Sequence, residues 1–244
     1  MPELESAERI EQRNIKVDVR EVLAFYDERK ESRPHASAMK SVFGEELGFA
    51  LLREYFRRQS MTADLLELPC TTGAKRGPRL DGWLRVRGID RTTLYQVEVK
   101  TWSLHSLGGG ALAVDATDSD AEAFMRRTWS QYWADGSFVD KPLKKVLMRM
   151  KPPPGGDIVE PLACLWAAMH PTGDRHRAFF DVPVQEGLFS RVHIFSMSTF
   201  LRQLGERFLV LDLPILDARL RHLRAIFPEW LGPMATSFNL GTRG

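Results

Sequence analysis

"RLDGWLRVRGIDRTTLYQVEVKTW", residues 79–102, carries the pattern on which the fold turns. Apolar and polar positions alternate through "RLDGWLRVRG" and again through "TLYQVEVKTW", with "IDR" between them. Alternation of this kind marks strands with two unlike faces, and two such runs joined by a few polar residues make a hairpin. With the turn centred near Ile89 and Asp90, opposed residues have numbers that add to 179, so Asp81 stands across from Glu98. Lys100 follows Glu98 by two residues and shares its face. Cross-strand neighbours have Cβ atoms roughly 4.5–5.5 Å apart, and two carboxylates at that separation repel. A hard divalent cation such as Mg²⁺ turns that repulsion into shared ligation. A slip of one residue would send the two carboxylates to opposite faces. Asp81 would then cap a turn with Gly82, and Glu98 would pair with Lys100 or Arg85 on an exposed strand surface.

Upstream, Phe43, Leu47, Ala50, Leu51 and Tyr55 recur at intervals of three and four, which predicts an amphipathic helix over about residues 36–58. "ADLLELPC" reads as the first strand, and "TTGAKRGP" as a basic Gly/Pro loop leading to the hairpin. Residues 1–32 read as helical and polar, with Val19, Val22, Leu23 and Tyr26 as a thin apolar stripe that packs on the core or on another subunit. Downstream, "SLHSLGGGALAVDATDS" is a long loop, and helices are expected over about 120–134 and 142–150. "VEPLACLWAAMH", "RAFFDVPV" and "RVHIFSMS" read as strands, while "TFLRQLGERF" and "ILDARLRHLRAIF" read as closing helices. The order predicts an α/β sandwich around a mixed central sheet.

The 244 residues are 43% hydrophobic and 27% charged, an ordinary globular composition. The net charge of +2, from 34 basic and 32 acidic residues, neither requires nor excludes a polyanionic partner. Cys70 and Cys164 are far apart and form no metal-binding spacing, which points to a reducing, cytoplasmic setting. The charged N-terminus is unlike a signal peptide, and no apolar run is long enough to span a bilayer, so no membrane association is expected. Three glycines at 108–110 lack the lysine and hydroxyl of a phosphate-binding loop.

Two facing carboxylates with an ammonium beside them suit phosphodiester hydrolysis, in which a metal polarises the phosphate and a lysine orients the attacking water. Asp81, sixteen intervening residues and Glu98-Val99-Lys100 resemble the signature of the PD-(D/E)xK nuclease superfamily. That superfamily has a restriction-endonuclease-like αβββαβ core. "FGEELGFALLREYF" is similar to its first helix, which often supplies a further glutamate. The resemblance implies a core over about 36–170, an N-terminal helical appendage over 1–35 and a C-terminal α/β elaboration over 171–244. It implies Asp81 and Glu98 as metal ligands, helped by the Val99 carbonyl, and Lys100 as the catalytic lysine. It also implies a helix acid, with Glu45 favoured over Glu46 because it shares a stripe with Phe49 and Leu52. The residue before Asp81 is Leu80, where the superfamily's name has proline.

Lys75, Arg76 and Arg79, and then Lys144 and Lys145, are candidate phosphate contacts. Trp129, Tyr132 and Trp133 lie near the second basic group, as core aromatics or as a stacking surface. The resemblance implies a Mg²⁺-dependent endonuclease, with Mn²⁺ as a substitute, acting on double-stranded DNA in restriction, anti-phage defence or repair. A homodimer fits the cutting of two strands. An inactive nucleic-acid- or protein-binding module on the same fold, or an RNase, is the alternative.

Overall fold

The computed structural model describes residues 14–27, 34–74, 77–101, 115–134, 142–184 and 187–213. The hairpin is formed by β3 (Gly82–Arg87) and β4 (Thr92–Lys100), with Gly82 paired to Val97 and Arg87 to Thr92. Those pairs add to 179, so the register expected from the sequence is the one found. The Gly88 N–H donates to the Arg91 carbonyl at 3.0 Å and closes the turn.

Four further strands build outward from it. β2 (Thr62–Leu66) lies antiparallel to β3, and β5 (Ile158–Leu165) lies parallel to β4. β7 (Arg191–Ser196) is parallel to β5, and β6 (Phe179–Pro183) is antiparallel to β7. The six-stranded mixed sheet therefore runs β2-β3-β4-β5-β7-β6. β5 lies between two parallel neighbours, which explains its nearly continuous apolar run.

Both faces of the sheet are covered. On one, Leu84, Val86, Tyr95, Val97, Val99, Leu162, Cys164 and Phe195 pack under α2 (Pro34–Arg58), through Leu47, Leu51, Leu52 and Phe56. On the other, Trp83, Leu94, Ala163, Leu165, Val192 and Ile194 meet Met125 and Trp129 of α3 (Asp118–Ala134) and Val146 of α4 (Pro142–Val146). Trp129 is a core residue, and its indole N–H donates to the Met169 carbonyl at 3.0 Å. The side chains of Tyr132 and Trp133 lie outside the described set. α4 stops at Val146, short of the helix expected to reach residue 150. Among the described residues, no helix is long and apolar enough to cross a membrane.

The N-terminal segment departs from the expected helical appendage. Asn14–Asp18 forms β1, paired antiparallel with β8 (Phe208–Asp212) in a separate two-stranded sheet. Ile15 and Val17 are β-branched and alternate with Lys16 and Asp18, a period-two signal too short to stand out without its distant partner. α1 (Val19–Asp27) carries the expected stripe, and Val19 and Tyr26 join the main core. The Tyr26 ring lies 4.5 Å from that of Trp166, whose indole N–H donates to Asp27 Oδ1 at 2.9 Å. At the other end, α5 (Met197–Gln203) is followed by Gly205 at φ 64°, and Phe208 opens β8 rather than ending a helix. The helix expected from "ILDARLRHLRAIF" lies outside the described residues.

Two glycines allow α2 to approach the sheet closely. A Cβ on Gly48 would stand 2.7 Å from Val99 Cγ1 and 3.2 Å from Cys164 Sγ. A Cβ on Gly44 would stand within 2.2 Å of the Thr101 side chain. Gly48→Ala is expected to lower stability by about 1–3 kcal/mol despite alanine's better helix propensity, because overpacking at a tight contact outweighs that gain. Equilibrium urea unfolding measures it; an unchanged or raised midpoint would contradict the tight contact.

Candidate functional site

β4 is buried along most of its length, and its alternate residues serve different layers. Val97 and Val99 point to α2, while Gln96, Glu98 and Lys100 point to the α4 side. Glu98 is 1% exposed, which rules out the reading of an exposed strand-face ion pair. Arg85 is not its partner either: Arg85 Nη2 donates to the Pro154 carbonyl at 3.0 Å.

A carboxylate taken so far out of water needs compensating charge. Glu98 has two ammonium partners. Lys100 Nζ lies 2.7 Å from Glu98 Oε1, and Lys145 Nζ lies 3.0 Å from both carboxylate oxygens. Lys100 Nζ also donates to the Val99 carbonyl at 3.1 Å and lies 3.9 Å from Asp81 Oδ2. One ammonium thus sits among the three oxygen groups named from the sequence as metal donors.

Asp81 stands just before β3. Its own N–H donates to the Val97 carbonyl at 3.1 Å, and its Oδ2 accepts the Val99 N–H at 2.6 Å. The side chain thereby takes a backbone donor at the place where the strand ladder ends. That bond holds the carboxylate at the Glu98-Val99-Lys100 segment, as the 179 register requires.

The helix acids are placed differently. α2 covers the opposite face of the sheet from Glu98, so Glu45 and Glu46 reach the carboxylate side only around the end of β4. Gly44 packs against Thr101 at that end. Glu45 is exposed and Glu46 half-buried. Sharing a stripe with Phe49 and Leu52 does not bury Glu45, because its turn of helix lies where the strand stops.

The basic candidates border the site in part. The Leu80 N–H donates to the Cys70 carbonyl at 2.9 Å, and Thr71 bridges to Arg79, so the loop before Asp81 is a small pinched hairpin with Arg79 exposed on it. The Lys151 N–H donates to the Thr71 carbonyl at 2.7 Å and ties this loop to the segment after α4. Lys144 is exposed, and Lys145 lies on Glu98. Lys75 and Arg76 lie outside the described residues, as does the glycine-rich loop at 102–114.

Gln96, which sequence reasoning passed over, is wholly buried on the same face as Glu98. Its Nε2 donates to the carbonyls of Val146 and Met148 at 2.5 and 2.6 Å, and its Oε1 accepts the Met150 N–H at 3.3 Å. A polar residue two positions before Glu98 in an otherwise apolar strand was the available signal. Its partners, fifty residues away, were not readable.

The donor set suits a hard cation: two carboxylates and a backbone carbonyl, all oxygen, flanked by lysines that are partly exposed and free to turn out. Among the described residues, no group of three or more His, Cys, Asp or Glu side chains converges. Mg²⁺ commonly takes only one or two protein carboxylates and keeps several waters, so two are compatible with it.

The same charges act on Cys70, whose thiol is pushed up to about 12, first by burial and then by Asp81 and Glu98. Burial likewise raises Tyr95 to about 12, with Glu160 adding to the effect. Each acid is therefore harder to ionise folded than unfolded. Their contribution to stability is complete below the unfolded values of 9.0 and 10.0 and is lost as pH rises through about 12. The urea midpoint is expected to fall steadily between about pH 9 and pH 12, with Cys70 unreactive to a thiol reagent at pH 8 until the protein is unfolded. Rapid native labelling of Cys70 would contradict this. No protein family, curated protein or solved structure is significantly similar to the chain.

Proposed function

We propose that the protein is a metal-dependent endonuclease that hydrolyses phosphodiester bonds of DNA on a restriction-endonuclease-like core. The observation that carries this reading is the cation nest at the end of β4, where a single ammonium contacts Glu98 and the Val99 carbonyl and stands 3.9 Å from Asp81. The element order α2, β2, β3, β4, α3 with α4, β5 supports it, since it follows the αβββαβ succession. Glu45 or Glu46 would join only by reaching past Thr101.

Asp81 and Glu98, with the Val99 carbonyl, would hold Mg²⁺, or Mn²⁺ in its place. When bound, such an ion polarises the scissile phosphate and makes its water a better nucleophile. Lys100 orients the attacking water and balances charge that develops on the phosphate oxygens. Arg79 and Lys144 bear on the backbone of the substrate, which raises its local concentration and makes binding salt-dependent. Double-stranded DNA as substrate, a dimer cutting both strands, and a place in restriction, defence or repair extend the reading by analogy of fold.

The mutual neutralisation of two carboxylates by two lysines favours one rival, a binding module with no catalysis. Incubating supercoiled plasmid, linear DNA and RNA with the protein and Mg²⁺ or Mn²⁺ separates them. Nicked or linear plasmid, absent with EDTA, is expected. RNA cleavage alone would redirect the substrate, and no cleavage of any of these would leave the binding module.

A further inference from the structure

Lys145 comes from α4, over forty residues beyond β4, yet it grips both oxygens of Glu98 at 3.0 Å. What brings it there is Gln96. The amide side chain of a fully buried glutamine takes up two carbonyls and one N–H from the turn that ends α4. Hydrogen bonds on both its oxygen and its nitrogen fix the amide's orientation and the course of residues 146–150. The helix is thereby pinned to the strand that carries Glu98, with Lys145 one residue before the clamped Val146 carbonyl. Val146 and Met150, both buried, complete the contact.

Resting on the metal-site reading above, we propose that Lys145 is the displaceable counter-ion of Glu98. It occupies the carboxylate while the metal is away and is released to meet the substrate phosphate when the metal arrives. Gln96 is the positioning residue that keeps Lys145 within reach. The chemistry is one of competing cations. Glu98 at 1% exposure cannot stand uncompensated, and Lys145 Nζ, 3.0 Å from both of its oxygens, shares that compensation with Lys100 Nζ at 2.7 Å from Oε1. Lys145 is 37% exposed, and its flexible stem gives the ammonium a path to solvent and to a phosphate. A divalent ion on Glu98 must expel it. Lys145 therefore weakens metal binding in the free protein and strengthens substrate binding in the loaded one.

The two effects of removing Lys145 have opposite signs, which a merely structural role would not produce. Lys145→Met is expected to bind Mn²⁺ alone about tenfold more tightly by isothermal titration, because a competing positive charge is gone. The same variant is expected to cleave plasmid at least tenfold more slowly, with the loss in KM rather than kcat. Lys145→Arg should restore both to within a few-fold. Gln96→Met should shift Mn²⁺ affinity in the wild-type background and leave it unchanged in Lys145→Met, the non-additivity expected if Gln96 acts through Lys145. Thermal melting monitors folding; should Gln96→Met fail to fold, Lys145→Met and Lys145→Arg decide alone.

Equal or weaker Mn²⁺ affinity in Lys145→Met would overturn the inference while leaving the nuclease reading intact. Additive shifts would remove Gln96 from it. If neither wild type nor Lys145→Met bound Mn²⁺ at millimolar concentration, the metal site itself would fall and this inference with it.

Discussion

Glu98→Gln is expected to reduce metal-dependent plasmid cleavage by about 10³-fold or more, with the fold retained. The substitution preserves shape but removes the one nearly fully buried negative charge of the site. On the proposed reading it thereby removes a metal ligand, and an interaction with the metal at the reacting phosphate is among the largest single contributions to such chemistry. On the same reading, Lys100→Met should cost about 10²–10³-fold through loss of the group proposed to orient water and stabilise charge. Circular dichroism and thermal melting of each variant guard against a trivial loss through unfolding. Residual cleavage within tenfold of wild type in Glu98→Gln would remove Glu98 from the catalytic centre.

Tyr26→Ala is expected to cost about 3 kcal/mol of stability, the range for truncating a large buried aromatic. A helix that merely rests on the surface would lose no more than about 0.5 kcal/mol. The difference tests whether α1 is part of the core. Tyr26 is 3% exposed and packs on Trp166, while the Trp166 N–H donates to the Lys100 carbonyl at 2.8 Å. The N-terminal segment thus sits one residue away, through the backbone, from the lysine of the candidate site. Urea unfolding monitored by tryptophan fluorescence gives the value, and a change below 0.5 kcal/mol would return α1 to the status of an appendage.

What could be read beforehand follows the range of the interactions involved. The β3–β4 hairpin is local, so alternation and a short turn were enough to set its register and to put Asp81 opposite Glu98. α2 was legible because its stripe repeats over many turns. β1 was not, because five residues carry a weak period and their partner β8 lies about 190 residues later in the chain. Lys145 was visible as a basic residue on a short helix, but its engagement with Glu98 depends on the Gln96 clamp, a tertiary contact with no sequence period. The exposure of Glu45 was unreadable for a related reason. A stripe says which side of the helix faces inward and not where the sheet beneath it ends.

The missing methyls of Gly44 and Gly48 bear on how firmly the groups of the candidate site are held. Where α2 runs over Val99 and Thr101, there is no slack for a sliding layer of side chains. The helix of 25 residues lies against the strand like a splint along a bone. Close-packed interiors resist deformation, so the carbonyl of Val99 and the carboxylate beside it inherit the stiffness of a whole helix rather than that of a strand terminus. Site groups carried on rigid elements hold their geometry better than groups carried on loops. In this protein that rigidity is supplied from the far side of the sheet, by two residues with no side chain at all.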